Sequence, residues 1–399
     1  MSTQYSVWRG IYDARRSVLW VTPAEAAIVK TFDKCTACSA CLRSCPSYQG
    51  FDATFVPDLA KALGENRIGI DEAMVAYNCT LCGFCSTQCP WDINVKDLMV
   101  AVRDNYVRSG QGPLAAHLPL YVNKKVNFFS LLDGSAHKKK EYPKQADRIF
   151  FPGCSMRAYR PEAVEKVAHM LGDAYVMKDD CCGKPLKMIG EKEAYEEHHG
   201  RVLDAMRKMN PTEVITSCPN CYSMFKPDLK FAKLKFAAEA LLEEITPADV
   251  PVREDLGTVT IHDSCPFREN TELVEISRRF VESFYKGAKV EMKHSKTSTL
   301  CCGAGGAVSY ANPDLAKSAA LTRLREAKSK GADTVITFCN SCGVQFGASS
   351  QEAGVKVVHA FDLLDPLGAP DYSKMYSRSR QVFGGVCLLE NVARLALQV

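Results

Sequence analysis

The chain writes one cysteine frame twice: Cys35-x2-Cys38-x2-Cys41-x3-Cys45-Pro46, then Cys79-x2-Cys82-x2-Cys85-x3-Cys89-Pro90. Three thiolates spaced this closely wrap three corners of an iron–sulfur cube. The fourth, carried away by the turn and the proline, reaches a second cube. The frames therefore predict two [4Fe–4S] clusters, one on Cys35, Cys38, Cys41 and Cys89, the other on Cys79, Cys82, Cys85 and Cys45. Zinc favours two separated ligand pairs and makes no use of the third Cys-x2-Cys step or the closing Cys-Pro. The 33 residues between Cys45 and Cys79 exceed what a compact two-cluster module needs. Within them, 57–63 and 71–77 read as short helices with acidic or proline starts. Residues 95–107 continue helically, with apolar positions near i, i+3, i+4 and i+7.

Nineteen cysteines in 399 residues are too many for an ordinary globular chain, and the length is wrong for a secreted disulfide scaffold. The opening MSTQYSVWRG has no apolar signal core, and there is no run of eighteen apolar residues. The expectation is a cytoplasmic chain with reduced thiols and no membrane span of its own, membrane-associated only through a partner subunit. A net charge of +4, from 50 basic and 46 acidic residues, gives no reason to expect nucleic acid. The single basic run, His137 to Lys140, reads as solvated linker.

From residue 147 the pattern changes to short strands alternating with helices, and it repeats. RIFFPGC (148–154) corresponds to VTIHDSC (259–265), DDCCG to TLCCG, and EVITSCPNC to TVITFCNSC. The offset is 120 at the Cys-Cys pairs and 121 both at the Cys-x2-Cys pairs and at Leu242 against Leu363. An offset this constant marks an internal repeat. Strand–helix–strand order predicts parallel sheets with the cysteines at strand C-termini, the edge where open α/β sheets place ligands. Each unit then gathers five thiols: Cys154, Cys181, Cys182, Cys218 and Cys221, and again Cys265, Cys301, Cys302, Cys339 and Cys342. Five exceed the need of a cubane or a tetrahedral zinc. They suit either a larger, irregular iron–sulfur assembly or a simpler site with a spare thiol. The fold expected is α+β and multidomain. A mainly helical two-cluster ferredoxin domain (1–112) and a linker (113–146) precede two pseudo-twofold-related α/β units with small parallel sheets (147–250 and 251–370). A C-terminal docking tail (371–399) follows, its apolar end suited to a helix packed on this chain or on a partner.

The order C…CCG…CxxC, twice, resembles the cysteine-rich CCG domains of heterodisulfide reductases. The whole layout over residues 30–365 resembles their fused catalytic subunit. It is also similar to the iron–sulfur subunits of glycolate, lactate and anaerobic glycerol-3-phosphate dehydrogenases. The resemblance implies one or two noncubane [4Fe–4S] clusters, with all ten CCG cysteines as ligands at the catalytic centre. It implies thiol/disulfide reduction, or else electron relay, within a complex holding a flavoprotein or a haem-containing membrane subunit. One departure concerns Cys154: 26 residues separate it from Cys181, against 35 between Cys265 and Cys301. CCGAGGAV is glycine-rich, but its cysteines make it a cluster turn, so no flavin or nicotinamide is expected on this chain. Lys184 and Lys187 either hold an anionic thiol substrate or face water. His262 either supplies a proton to a leaving thiolate or donates a hydrogen bond to a cluster sulfur. His198 and His199, in a charged helix, are expected at the surface, and Cys387 as an ordinary buried thiol.

Overall fold

The computed structural model describes residues 21–396, apart from 44, 123, 125, 137–139, 179, 247, 251 and 365–370. Of the basic run only Lys140 lies among the described residues; it is exposed and bonds Asp180 at 2.5 Å. The side chains of residue 122 and of residues 387–396 are likewise outside the description, Cys387 among them.

The amino-terminal region is helical. Helix Phe55–Gly64 buries Val56, Leu59, Ala60 and Leu63, an i, i+3, i+4, i+7 stripe, against helix Val95–Arg108. Asn94 starts the latter by accepting the Lys96 N–H at 3.2 Å. Glu72 accepts the Gly69 N–H at 2.9 Å and so fixes the start of helix Ile70–Tyr77. Leu63, Ala73, Ala76, Leu98, Met99 and Val102 close the small core, and the cysteine segments pack on its rim. Among the described residues these segments contain no strand, only the short helices Ala40–Arg43 and Phe84–Gln88.

Residues 113–146, expected as linker, contain an antiparallel hairpin of β1 (Tyr121–Val122) and β2 (Val126–Asn127) and a helical turn, Phe128–Leu132. Beyond it lie two parallel sheets. The first has the order β4-β3-β5-β6, from β3 (Arg148–Phe151), β4 (Tyr175–Val176), β5 (Glu213–Thr216) and β6 (Lys233–Phe236). The second has the order β7-β8-β9, from β7 (Val259–His262), β8 (Thr334–Thr337) and β9 (Lys356–His359). β7 and β8 are buried at every position, as strands covered on both faces by crossover helices must be. One core joins the repeats: Phe236 of the first meets Phe338 of the second, ring centroids 6.1 Å apart.

The shortfall before Cys181 has a structural location. In the first repeat Tyr175 pairs with Ile149, and Cys181 follows six residues later. In the second the corresponding segment makes a single bridge, Lys289 to Val259, and Cys301 follows twelve residues later. Most of the extra length is therefore a loop after the strand. It reaches the amino-terminal region, where His294 meets the Phe84 ring edge-on.

The first turns of helix Tyr372–Ala396 pack on helix Asn340–Ala353 of this chain. Tyr372 lies flat on helix Asn340–Ala353, where a Cβ on Gly347 would stand 2.2 Å from that of Tyr372. Phe383 is buried between Phe128 and Tyr310.

Candidate metal centres

None of the eighteen described cysteines is in a disulfide. In the helical region they fall into two neighbourhoods. Burial raises Cys41 to about 11, and the thiols adding to that push are Cys35, Cys89 and Cys38. Burial likewise pushes Cys45 up to about 12, with Cys79 and Cys82 adding to it. Burial raises Cys85 well above its ordinary range, with Cys79, Cys82 and Cys45 adding most to the push and Cys41 less. Thus Cys89 sits with the first triplet and Cys45 with the second. The first neighbourhood reaches the surface, for Cys38 is exposed and Trp91, which donates to the Thr36 hydroxyl at 3.3 Å, is 49% exposed.

In the repeats, strand ends deliver the thiols. Cys218 and Cys339 sit two residues beyond β5 and β8 and cap the next helices, the first of which opens on Pro219. Cys154 and Cys265 sit three residues beyond β3 and β7. Gly183 and Gly303, both at positive φ, turn the chain after each Cys-Cys pair, and a Cβ on Gly303 would stand 2.3 Å from the Ala316 carbonyl. The ten sulfurs form one string. Cys154 and Cys181 are 3.5 Å apart, so the shorter gap does not remove Cys154 from its set. From Cys181 the string continues through Cys182, Cys221 and Cys218, crosses between repeats to Cys339, and runs on to Cys342. Cys342 lies 3.1 Å from Cys302, which adjoins Cys301, and Cys301 adjoins Cys265. Cys301 also touches Cys82 of the helical region and, with Arg268, holds that thiol down at about 6.

Eight of the ten line a single cavity of about 150 Å³: Cys154, Cys182, Cys218, Cys221, Cys265, Cys302, Cys339 and Cys342. Lys184 reaches it too, bonding Asn220 at 2.5 Å, while no Asp or Glu among the described residues lines it. Buried sulfurs crowded against one another cannot all ionise without a cation among them, and soft thiolates select iron–sulfur clusters over hard ions. The donor set therefore fits iron–sulfur clusters.

Groups around the sulfurs differ between the repeats. Arg323, 1% exposed and bonded to Glu326 at 2.9 Å, donates its Nε–H to His262 Nδ1 at 3.3 Å. The His262 proton is then on Nε2, which has no partner among the described residues. The ring is within 4.8 Å of the Cys302 and Cys342 sulfurs. Burial lowers the His262 pKa, so it faces them as a neutral donor. In the first repeat the corresponding residue is Phe151, and different residues serve. Contrary to the sequence expectation, His198 and His199 are buried, at 6% and 5% exposure. They face the carbonyls of Cys181 and Cys182 at 2.8 and 3.0 Å. Asn127, from the hairpin, donates to the Cys181 sulfur at 3.4 Å. Lys187 does not line the cavity; its ammonium lies over the Tyr195 ring.

The glycines of CCGAGGAV have a packing role. A Cβ on Gly305 would stand 2.2 Å from the Thr80 carbonyl oxygen, and one on Gly306 2.1 Å from that of Cys79. The second repeat thus presses its backbone onto the second cysteine frame.

Comparison with known families agrees with this arrangement. Residues 31–93 match the 4Fe-4S dicluster domain, and residues 149–226 and 259–347 each match the cysteine-rich domain. The chain thus carries a 4Fe-4S dicluster domain followed by two cysteine-rich (CCG) domains, and it resembles a subunit of heterodisulfide reductase. It is 29% identical to that subunit in the dihydromethanophenazine:CoB–CoM heterodisulfide reductase of Methanosarcina acetivorans, over 82% of this chain and 91% of the relative. It is 26% identical to one subunit of the fumarate reductase (CoM/CoB) of Methanothermobacter marburgensis, over 88% and 75%. It is 22% identical to the EtfAB:quinone oxidoreductase of Syntrophomonas wolfei, over 58% and 36%. Among the described residues no helix is long and apolar enough to cross a membrane.

Proposed function

We propose that this chain is the disulfide-reducing iron–sulfur subunit of a multisubunit complex. The observation that carries the reading is the single cavity lined by sulfurs of both repeats. Residues 1–112 form the electron-entry domain, 147–250 and 251–370 the two halves of the catalytic centre, with 113–146 and 371–399 bracing them. Cys35, Cys38, Cys41 and Cys89 would hold one cubane, and Cys79, Cys82, Cys85 and Cys45 the other. The five cysteines of each repeat would hold a noncubane cluster. When bound, such clusters supply electrons one at a time. In the net reaction one S–S bond breaks, two electrons and two protons are taken up, and two thiols form. The electrons come from a one-electron donor on a partner subunit, a flavoprotein or a haem-containing membrane protein.

The chain's own residues define the pocket. Lys184 and Arg380, both lining a cavity with no carboxylate among its described lining residues, favour an anionic substrate. His262 donates toward the Cys302 and Cys342 sulfurs, and His198, His199 and Asn127 fix the Cys181–Cys182 pair. A second reading, favoured by the similarity to an EtfAB:quinone oxidoreductase, makes the chain an electron relay between a flavin dehydrogenase and a quinone-side partner. Iron and sulfide counting on anaerobically purified protein, combined with viologen-driven reduction of an organic disulfide, separates the two. About sixteen irons per chain with turnover abolished in Cys302→Ser, while the cubanes remain reducible, is the expected result. About eight to twelve irons with no disulfide turnover in the wild type would favour the relay.

A further inference from the structure

Arg103, in the middle of helix Val95–Arg108, is completely buried. All its described acceptors are backbone carbonyls. Nε and Nη2 donate to Ala76 at 3.1 and 2.7 Å, and Nη2 also to Cys79 at 2.6 Å. Nη1 donates to Gly306 at 2.9 Å and to Met188. The Tyr77 ring covers the guanidinium at 4.9 Å. Three parts of the molecule meet on this one side chain: the second cysteine frame through Ala76 and Cys79, the first repeat through Met188, and the second through Gly306. Met188 and Gly306 each follow a Cys-Cys-Gly turn, five and three residues on.

Carbonyl dipoles satisfy the fork but do not neutralise its charge. Asp104, the next residue, accepts none of these bonds; a buried cation with no carboxylate bonded to it is costly to keep, and an arginine does not escape by losing its proton. A four-iron cluster on four thiolates is a net anion, more so when reduced, and Arg103 is bonded to the backbone of one of that cluster's residues. We infer that Arg103 is the counter-charge of the cluster held by Cys45, Cys79, Cys82 and Cys85, and that it favours the reduced form. Arg103 is thus a positioning residue that sets the potential of the cluster nearest the repeats. The inference rests on the cluster assignment proposed above.

The test compares Arg103→Gln, which removes the charge but retains an amide donor, with Arg103→Lys, which keeps the charge and loses the fork. Holoproteins are purified anaerobically, their iron and sulfide counted, and each cubane titrated with the potential followed by EPR. Arg103→Gln should move one cubane to more negative potential and leave the other in place. Arg103→Lys should leave both near the wild-type values. Equal shifts in the two variants, no shift in Arg103→Gln, or loss of that cluster from both would overturn the inference, because each marks a structural role. Wild-type iron too low for two cubanes would instead overturn the cluster assignment, whatever the variants do.

Discussion

At the scale of single residues, the groups around the sulfurs come from segments distant in the chain, as Asn127 beside Cys181 shows. Cysteine spacing reports directly on metal because it is a local constraint written in consecutive residues. His198 and His199 sit in EKEAYEEHHGR, whose charges suggest solvent. Their position four residues before the buried Val202 and Leu203 was the signal that they face inward. Asn127 gave no such signal, because its sulfur partner lies 54 residues away. Arg103 could have been noticed as a charge on the apolar stripe with Met99 and Tyr106, at i−4 and i+3. Its neighbour Asp104 leaves Oδ1 buried without a partner. Burial raises Asp104 to about 7, with Glu25 adding to the push and Lys192 opposing it. An unfolded aspartate titrates near 4. Folding therefore takes up a proton between about pH 4 and 7, and stability falls as pH rises through that window before levelling off. Asp104→Asn should accordingly raise the anaerobic melting temperature most above pH 7, with the gain shrinking toward about pH 5.5. A gain of equal size at both ends would show that the carboxylate's charge is not the cause.

At the scale of elements, helix 95–107 was legible from periodicity, and the parallel strand pairs from the strand–helix–strand order of the repeats. What the offset could not show is that the same segment becomes a paired strand in one copy, β4, and a single bridge in the other. That outcome depends on what the following loop must reach. In the second copy Arg268 bridges the two sides, donating to the Cys82 carbonyl at 3.2 Å and to Thr299 at 2.7 Å. In the first copy Lys178 meets Arg157, which in turn pairs with Asp133 of the connecting segment. The C-terminal helix is another tertiary outcome, since nothing in its local sequence names the groove it occupies. Tyr372 fits because Gly343 and Gly347 leave space for it. Gly347→Ala would push a methyl into the Tyr372 backbone and should cost about 1–3 kcal/mol, as overpacking does. Thermal unfolding and faster proteolysis near residue 372 would measure it; unchanged values for both would mean that the helix is not anchored there.

For the whole molecule, the two kinds of domain are stabilised differently. The repeats have buried parallel strands and a shared aromatic core, whereas segments 35–45 and 79–89 contain no strand among the described residues and set their cysteines on the rim of a small helical core. Anaerobic chelation should therefore speed amide exchange first in those two segments, while β5 and β8 stay protected, because ligation supplies folding energy where a core does not. Exchange rising equally everywhere would contradict this division. The loop preceding Cys301 has a consequence for reach. Of the two corresponding gaps, the longer one carries His294 to the Phe84 ring, inside the cysteine frame that begins at Cys79. Shortening it would take His294 from the Phe84 ring and displace Thr299, whose carbonyl accepts from the Arg268 that also donates to Cys82. In the first copy the shorter turn ends on Arg157 instead, which donates to the Lys178 carbonyl and pairs with Asp133, so the two gaps differ in length because they span to different neighbours.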